Sequence, residues 1–100
     1  MNVKIIKNEE SVTAIMSGSL NTLAAEQIEP QIAELETMAD KPITIDCTQM
    51  DYIASSGLRL LIRLRKASFT HGQKIILQGL NPNVLEVLRI TNFDKMFIIE

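Results

Sequence analysis

The hydrophobic period changes repeatedly along the chain, and that change constrains the fold more than any other feature. Pro42 to Cys47 alternates, with Ile43, Ile45 and Cys47 on one face. From Ser55 to Phe69 the apolar residues recur at three- and four-residue spacing. Lys74 to Gln78 then returns to a short apolar run, Ile75-Ile76-Leu77. A period of two belongs to a strand and a period near 3.6 to a helix. Strand, helix and strand in that order make a crossover between parallel neighbours. The unbroken run in the second strand is the pattern of a strand covered on both faces.

The flanking segments continue the alternation. Val3 to Lys7 and Val12 to Ser17 read as strands joined by the polar loop Asn8-Glu9-Glu10-Ser11, an antiparallel hairpin, with Gly18 ending the second strand. A helix is expected from about Leu23 to Met38. Ile28, Ile32, Leu35 and Ala39 form its apolar stripe, and Asn21 or Thr22 caps it. Pro30 lies inside that stretch. An interior proline removes a hydrogen bond and clashes with the preceding turn, at a cost of about 3 kcal/mol. The helix therefore either kinks at Pro30 or begins there, and a kink is the expectation. Further on, Asn81 caps a helix with Pro82 at its first position, where no N–H is needed. Val84, Leu85 and Leu88 form its inner face, Asn92 is a left-handed stop, and Lys95 to Ile99 is the last strand. The order β-β-α-β-α-β-α-β is that of an α/β domain with a mostly parallel sheet, helices, and one antiparallel edge. Without a linker, repeat or low-complexity stretch, residues 1–100 read as a single domain.

Several function classes are disfavoured by composition. A net charge of −2 creates no field that would attract nucleic acid. Cys47 stands alone and His71 is the one imidazole, so neither a disulfide nor a zinc site of nitrogen and sulfur ligands is expected, and no carboxylate spacing points to another metal. No glycine-rich phosphate loop is present, so no cofactor is expected. The N-terminus is too short in apolar residues to read as a signal peptide, and no apolar run approaches the roughly 20 residues that span a bilayer. A cytoplasmic protein without membrane insertion is the expectation.

On the helix from Ser55 to Phe69, Gly57, Leu60, Leu61, Leu64 and Ser68 share the side that suits a core. Arg59, Arg63 and Lys66 lie opposite, and Leu58, Ile62 and Phe69 lie on a flank between. The basic side reads as a solvated face. What stays uncovered on the flank would form an apolar strip rimmed by arginines, the composition of a partner-docking surface. The start of the helix, Ala54-Ser55-Ser56-Gly57-Leu58, places two hydroxyls in the first turn. One suffices as a cap, worth about 1 kcal/mol, which leaves the other free for different chemistry. A phosphate on Ser55 would be favoured by the positive end of the helix while adding about −1.5 to −2 charges to the surface.

The segment Ile53-Ala54-Ser55-Ser56-Gly57-Leu58 resembles the signature of the STAS domain, the sulfate-transporter and anti-sigma-factor-antagonist family. Gly18-Ser19-Leu20-Asn21 is similar to the family's Gly-x-Leu-Asp, and Leu88-Arg89-Ile90-Thr91-Asn92-Phe93 with Phe97 is similar to its closing helix and last strand. The resemblance implies the STAS fold and a protein that acts by binding. In the family's bacterial anti-sigma factor antagonists, the first serine of this run is phosphorylated by an anti-sigma factor that is also a serine kinase, which ends its capture. A serine phosphatase restores the capture. By position the phosphoacceptor is Ser55, and Asn21, Ala54, Ser55, Ser56, Gly57, Leu58, Arg59 and Ile62 are the expected partner-binding residues. The family's Asp before the serines is Ala54 here, and its Asp after Gly-x-Leu is Asn21. Ala54 therefore supports a second implication, a STAS interaction subunit that is never phosphorylated, such as the cytoplasmic component of a lipid-trafficking ABC transporter. An enzyme is not expected. A serine nucleophile needs a base, the only histidine lies in a turn, and the Gly-x-Ser-x-Gly elbow is missing.

Overall fold

A computed structural model describes residues 1–100. Five strands form one sheet in the order β1-β2-β3-β4-β5. The elements are β1 (Asn2–Lys7), β2 (Val12–Leu20), α1 (Thr22–Glu36), β3 (Ile43–Ile53), α2 (Ser55–Phe69), β4 (Ile75–Gln78), α3 (Pro82–Ile90), a 3-10 turn at Phe93–Met96, and β5 (Ile98–Ile99). β1 runs antiparallel to β2, and every other neighbouring pair is parallel. The expected order, hairpin and parallel sheet are all present. No helix is long and apolar enough to cross a membrane.

Each crossover steps one strand further in the same direction, so helices of one handedness all fall on the same face of the sheet. Burial follows that geometry. Val12, Ala14, Met16, Ile43, Ile45, Cys47, Ile75 and Leu77 point into the core, while Thr13, Ile15, Thr44 and Ile76 between them stay partly exposed. β4 is therefore covered on one face only, contrary to the reading of its apolar run. From the helices come Ile28, Ile32 and Leu35 of α1, Leu58, Leu61 and Leu64 of α2, and Val84 and Leu88 of α3. Leu85 lies outside that set, because α3 turns its Val84–Leu88 side to the sheet and leaves Leu85 half-exposed.

α1 starts at Thr22 and runs through Pro30, so the helix does not begin at the proline. Burying Ile28, Ile32 and Leu35 is worth about 1.5–3 kcal/mol each, which outweighs the roughly 3 kcal/mol that proline costs. Pro30 is itself exposed, so its ring lies on the solvent side of the helix.

β2 and β3 are both longer than the sequence pattern indicates. β2 continues past Gly18, which adopts a left-handed φ of 104° inside the strand, where a side chain would be strained. β3 continues past Cys47 to Ile53. Its pairing with β2 shifts register between Ile15 and Ser17 and again between Gly18 and Ser19, so β3 carries an extra residue at each step. Such bulges break the two-residue alternation, and the buried positions become Cys47, Met50 and Ile53. At the first bulge the Asp46 carboxylate accepts from the Thr48 N–H at 3.0 Å and from its hydroxyl at 2.7 Å. β5, by contrast, is shorter than expected. Phe93, Met96 and Phe97 recur at helical spacing and pack toward the core, which makes a 3-10 turn of the segment expected to open the strand. Asn92 has the left-handed conformation expected of it, with φ 61°.

Candidate partner-binding site

The helices of a parallel sheet begin where its strands end, so the N-termini of α1, α2 and α3 gather at one edge of the sheet. The Ala54 N–H donates to the Leu20 carbonyl at 2.8 Å, tying the start of α2 to the end of β2. The Ser56 hydroxyl lies 3.5 Å from that of Thr22, a long contact between the first turns of α1 and α2. On the other side, Asn81 Nδ2 donates to the Met50 carbonyl at 3.0 Å and holds the start of α3 against β3.

The three helix starts are not alike. The Asn21 side-chain oxygen accepts from the Ala24 N–H, and that of Asn81 from the Val84 N–H, both at 2.8 Å. The residue at the same position of α2 is Ala54, and no side chain caps the helix. Neither Ser55 nor Ser56 is the cap, contrary to the simplest reading of the two hydroxyls, because both already lie within the first turn. Ser55 is exposed at that turn. Its hydroxyl therefore stands in solvent beside first-turn N–H groups that no side chain satisfies, at the positive end of a 15-residue helix.

Two large side chains near the same ends of the strands are also exposed. Leu23, in the first turn of α1, is 62% exposed, and Tyr52, three residues before Ser55, is 52% exposed. Next to Tyr52, a groove of about 320 Å³ runs between Asp51, Tyr52 and Ile53 of β3 and Asn83, Val84 and Val87 of α3. Sequence reasoning missed Leu23, Tyr52 and this groove. The available signal was a large apolar residue one or two positions from a cap or a bulge, where neither periodicity claims it for the core.

The expected site residues divide in two. Asn21, Ser55 and Arg59 are exposed, and Ala54, Ser56 and Ile62 are partly so. Gly57 and Leu58 are buried, Leu58 to 3% exposure, so they support the surface from beneath instead of lining it. Gly57 is a close-approach position: a Cβ there would sit 2.6 Å from Leu20 Cγ and 3.2 Å from Ile53 Cγ1. With Leu58 buried and Ile62 half-buried, the apolar strip expected along α2 is interrupted. Leu60, expected in the core, is half-exposed in exchange.

The basic side of α2 is also less free than a solvated face. Arg63 donates through Nε and Nη2 to the Glu36 carboxylate at 3.0 and 2.6 Å, and through Nη1 to Glu29 at 2.8 Å. The hydrogen bond to Glu36, then that to Glu29, holds the guanidinium even more firmly in its charged form. These bonds fasten α2 to α1. Ser55 has no histidine within reach. His71 follows the far end of α2, about 20 Å from Ser55 along a helix that rises 1.5 Å per residue.

The Ser55 hydroxyl thus stands exposed at an uncapped helix start, on a two-layer α/β scaffold with an antiparallel first strand. A family model of the STAS domain matches residues 2–100, and the chain belongs to that family. It is 29% identical over 97 residues to BtrV of Bordetella bronchiseptica, which is described as an anti-sigma factor antagonist. The match covers 97% of this chain and 84% of that protein. A crystal structure described as an anti-sigma factor antagonist from Thermotoga maritima is similar with a TM-score of 0.82 and 23% identity, covering 98% of this chain and 83% of that one. The antagonist SpoIIAA of Bacillus is similar in its unphosphorylated form, with a TM-score of 0.75, and in its phosphorylated form, with 0.74. Both show 18% identity over 99% of this chain and cover 87% and 91% of theirs.

Proposed function

We propose that this protein is a cytoplasmic anti-sigma factor antagonist that captures an anti-sigma factor with serine kinase activity and is released when that kinase phosphorylates Ser55. The observation that carries this reading is the exposed Ser55 hydroxyl at the uncapped start of α2, with Leu23 and Tyr52 exposed at the same edge of the sheet. Without phosphate, the apolar side chains and the groove beside α3 offer area to bury, and Asn21 and Arg59 provide a polar rim. A phosphate would be accepted by the free N–H groups of α2 and the helix dipole, so the fold tolerates it. On the surface it adds about two negative charges that a docked partner would have to desolvate. A serine phosphatase reverses the change. Ser55 acts here as a phosphoacceptor and not as a nucleophile, because no base stands near it, so the protein is a binding partner and not an enzyme.

The test is made on protein isolated from its own organism. Mass spectrometry is expected to find a phosphate on Ser55, and affinity capture followed by peptide identification is expected to find a serine kinase with the unmodified chain but not with Ser55→Asp. Unmodified Ser55 under every growth condition, together with equal capture by both forms, would refute the reading. Ala54 favours a second reading, a STAS interaction subunit that is never phosphorylated, because the family's carboxylate beside the acceptor is missing. In that case capture yields transporter subunits, and Ser55→Asp changes nothing.

A further inference from the structure

A second concave surface lies at the opposite end of α2. Arg65, Phe69, Lys74, Lys95, Phe97 and Ile98 line a cavity there of about 190 Å³. Its three cations come from three elements: Arg65 from α2, Lys74 from the turn before β4, and Lys95 from the 3-10 turn. The ion pairs of the molecule are made by Lys7 and Arg63. Arg65, Lys74 and Lys95 therefore line the cavity without a carboxylate partner, and no acidic residue lines it.

Arg65 is fixed on two sides. Its Nε donates to the Met96 carbonyl at 3.3 Å, and its guanidinium lies over the Phe69 ring, 5.0 Å from the centroid. Neither contact uses the terminal Nη1 and Nη2 donors. Arg63, two residues earlier, spends both on glutamates. An immobilised guanidinium with its fork unoccupied is an oxyanion receptor whose ordering entropy is already lost before a ligand arrives. Phe69, 65% exposed, and Ile98, 38% exposed, give the same cavity an apolar wall.

We propose that this cavity binds a small phosphomonoester, with its phosphate on Arg65, Lys74 and Lys95 and its organic part against Phe69 and Ile98. Charge selects the head group. A carboxylate offsets one of three positive charges, whereas a phosphate dianion offsets two and offers three oxygens to three donors on different elements. Size selects the rest. The cavity is below the range of about 300–1,000 Å³ typical of drug-sized ligands, which leaves room for one phosphate and a ring or short alkyl group. The site lies a full helix length from Ser55, so it stands or falls independently of the reading given above.

Phenyl phosphate, inorganic phosphate and benzoate are titrated separately into the full chain labelled with ¹⁵N, followed by two-dimensional amide spectra. Phenyl phosphate is expected to shift the resonances of Arg65, Lys74, Lys95 and Ile98 saturably, to bind more tightly than the other two, and to leave Ser55 unmoved. Arg65→Met keeps the stem over Phe69 and is expected to weaken binding about tenfold or more, the value of a charge-assisted hydrogen bond. Lys95→Met is expected to weaken it too, and the dispersion of either spectrum reports whether the variant is folded. Lys66→Met, an exposed cation outside the cavity, is expected to change nothing. Absence of saturable shifts, binding insensitive to both Arg65→Met and Lys95→Met, or equal affinity for inorganic phosphate or benzoate would overturn the assignment.

Discussion

Ala54 occupies the position at which α1 and α3 each place a capping asparagine. Ala54→Asp is therefore expected to raise stability by about 1 kcal/mol in urea unfolding, since an aspartate there accepts from the N2 or N3 amide and favours the helix dipole. An unchanged midpoint would mean that the first turn of α2 is already satisfied in some other way. Cys47 carries a different expectation. Burial, with Asp46 adding to it, pushes its thiol from the usual 9.0 up to about 12. The folded chain thus holds this proton more tightly than the unfolded chain does. The corresponding stability is present in full below pH 9 and is lost as the pH rises toward 12. The alkaline fall in stability is expected to be shallower in Cys47→Ala than in the parent, measured by denaturant midpoints across that range. The same burial makes the thiol inert, and thiol reagents are expected to label it only on unfolding.

Among the elements, the approach of α2 to the ends of β2 and β3 fixes the height of the Ser55 turn. Only a hydrogen at Gly57 fits against Leu20 and Ile53. Gly57→Val is expected to lower stability by about 1–3 kcal/mol through overpacking, and the melting temperature by several degrees. Equal melting temperatures would show that Leu20 rotates away without cost. This helix was also the most legible part of the sequence. Its apolar spacing runs from Ser55 to Phe69 without a proline, and the structure gives those same bounds. Legibility failed where one residue was counted twice or pulled in two directions. The bulges of β3 replace the alternation of Ile43, Ile45 and Cys47 with the three-residue spacing of Cys47, Met50 and Ile53, which no longer carries the period of a strand. The paired hydroxyls of α2 suggested a cap, but a cap belongs to the residue before the first turn, and only the observed helix start shows that this residue is Ala54. That Ser55 opens α2 was readable from motif and position. The exposure of Leu23 and Tyr52 was not, because it depends on how α1 and β3 end in three dimensions.

At the scale of the molecule, every helix begins at the edge of the sheet that carries Ser55, and the core lies behind that edge. A charge added at Ser55 therefore falls on an exposed edge and not among the side chains that hold the layers together. The proposed phosphate on Ser55 would either change an affinity without changing the fold or loosen the fold itself. Ser55→Asp separates the two possibilities. Circular dichroism is expected to be unchanged and the melting temperature to stay within about 2 °C of the parent, since surface substitutions remain within about 0.5 kcal/mol. A negative side chain in the first turn of α2 is accommodated by the helix dipole, which supports even a slight rise. A drop of many degrees would place the Ser55 turn among the contacts that stabilise the domain, and a phosphate there would then act by loosening the fold.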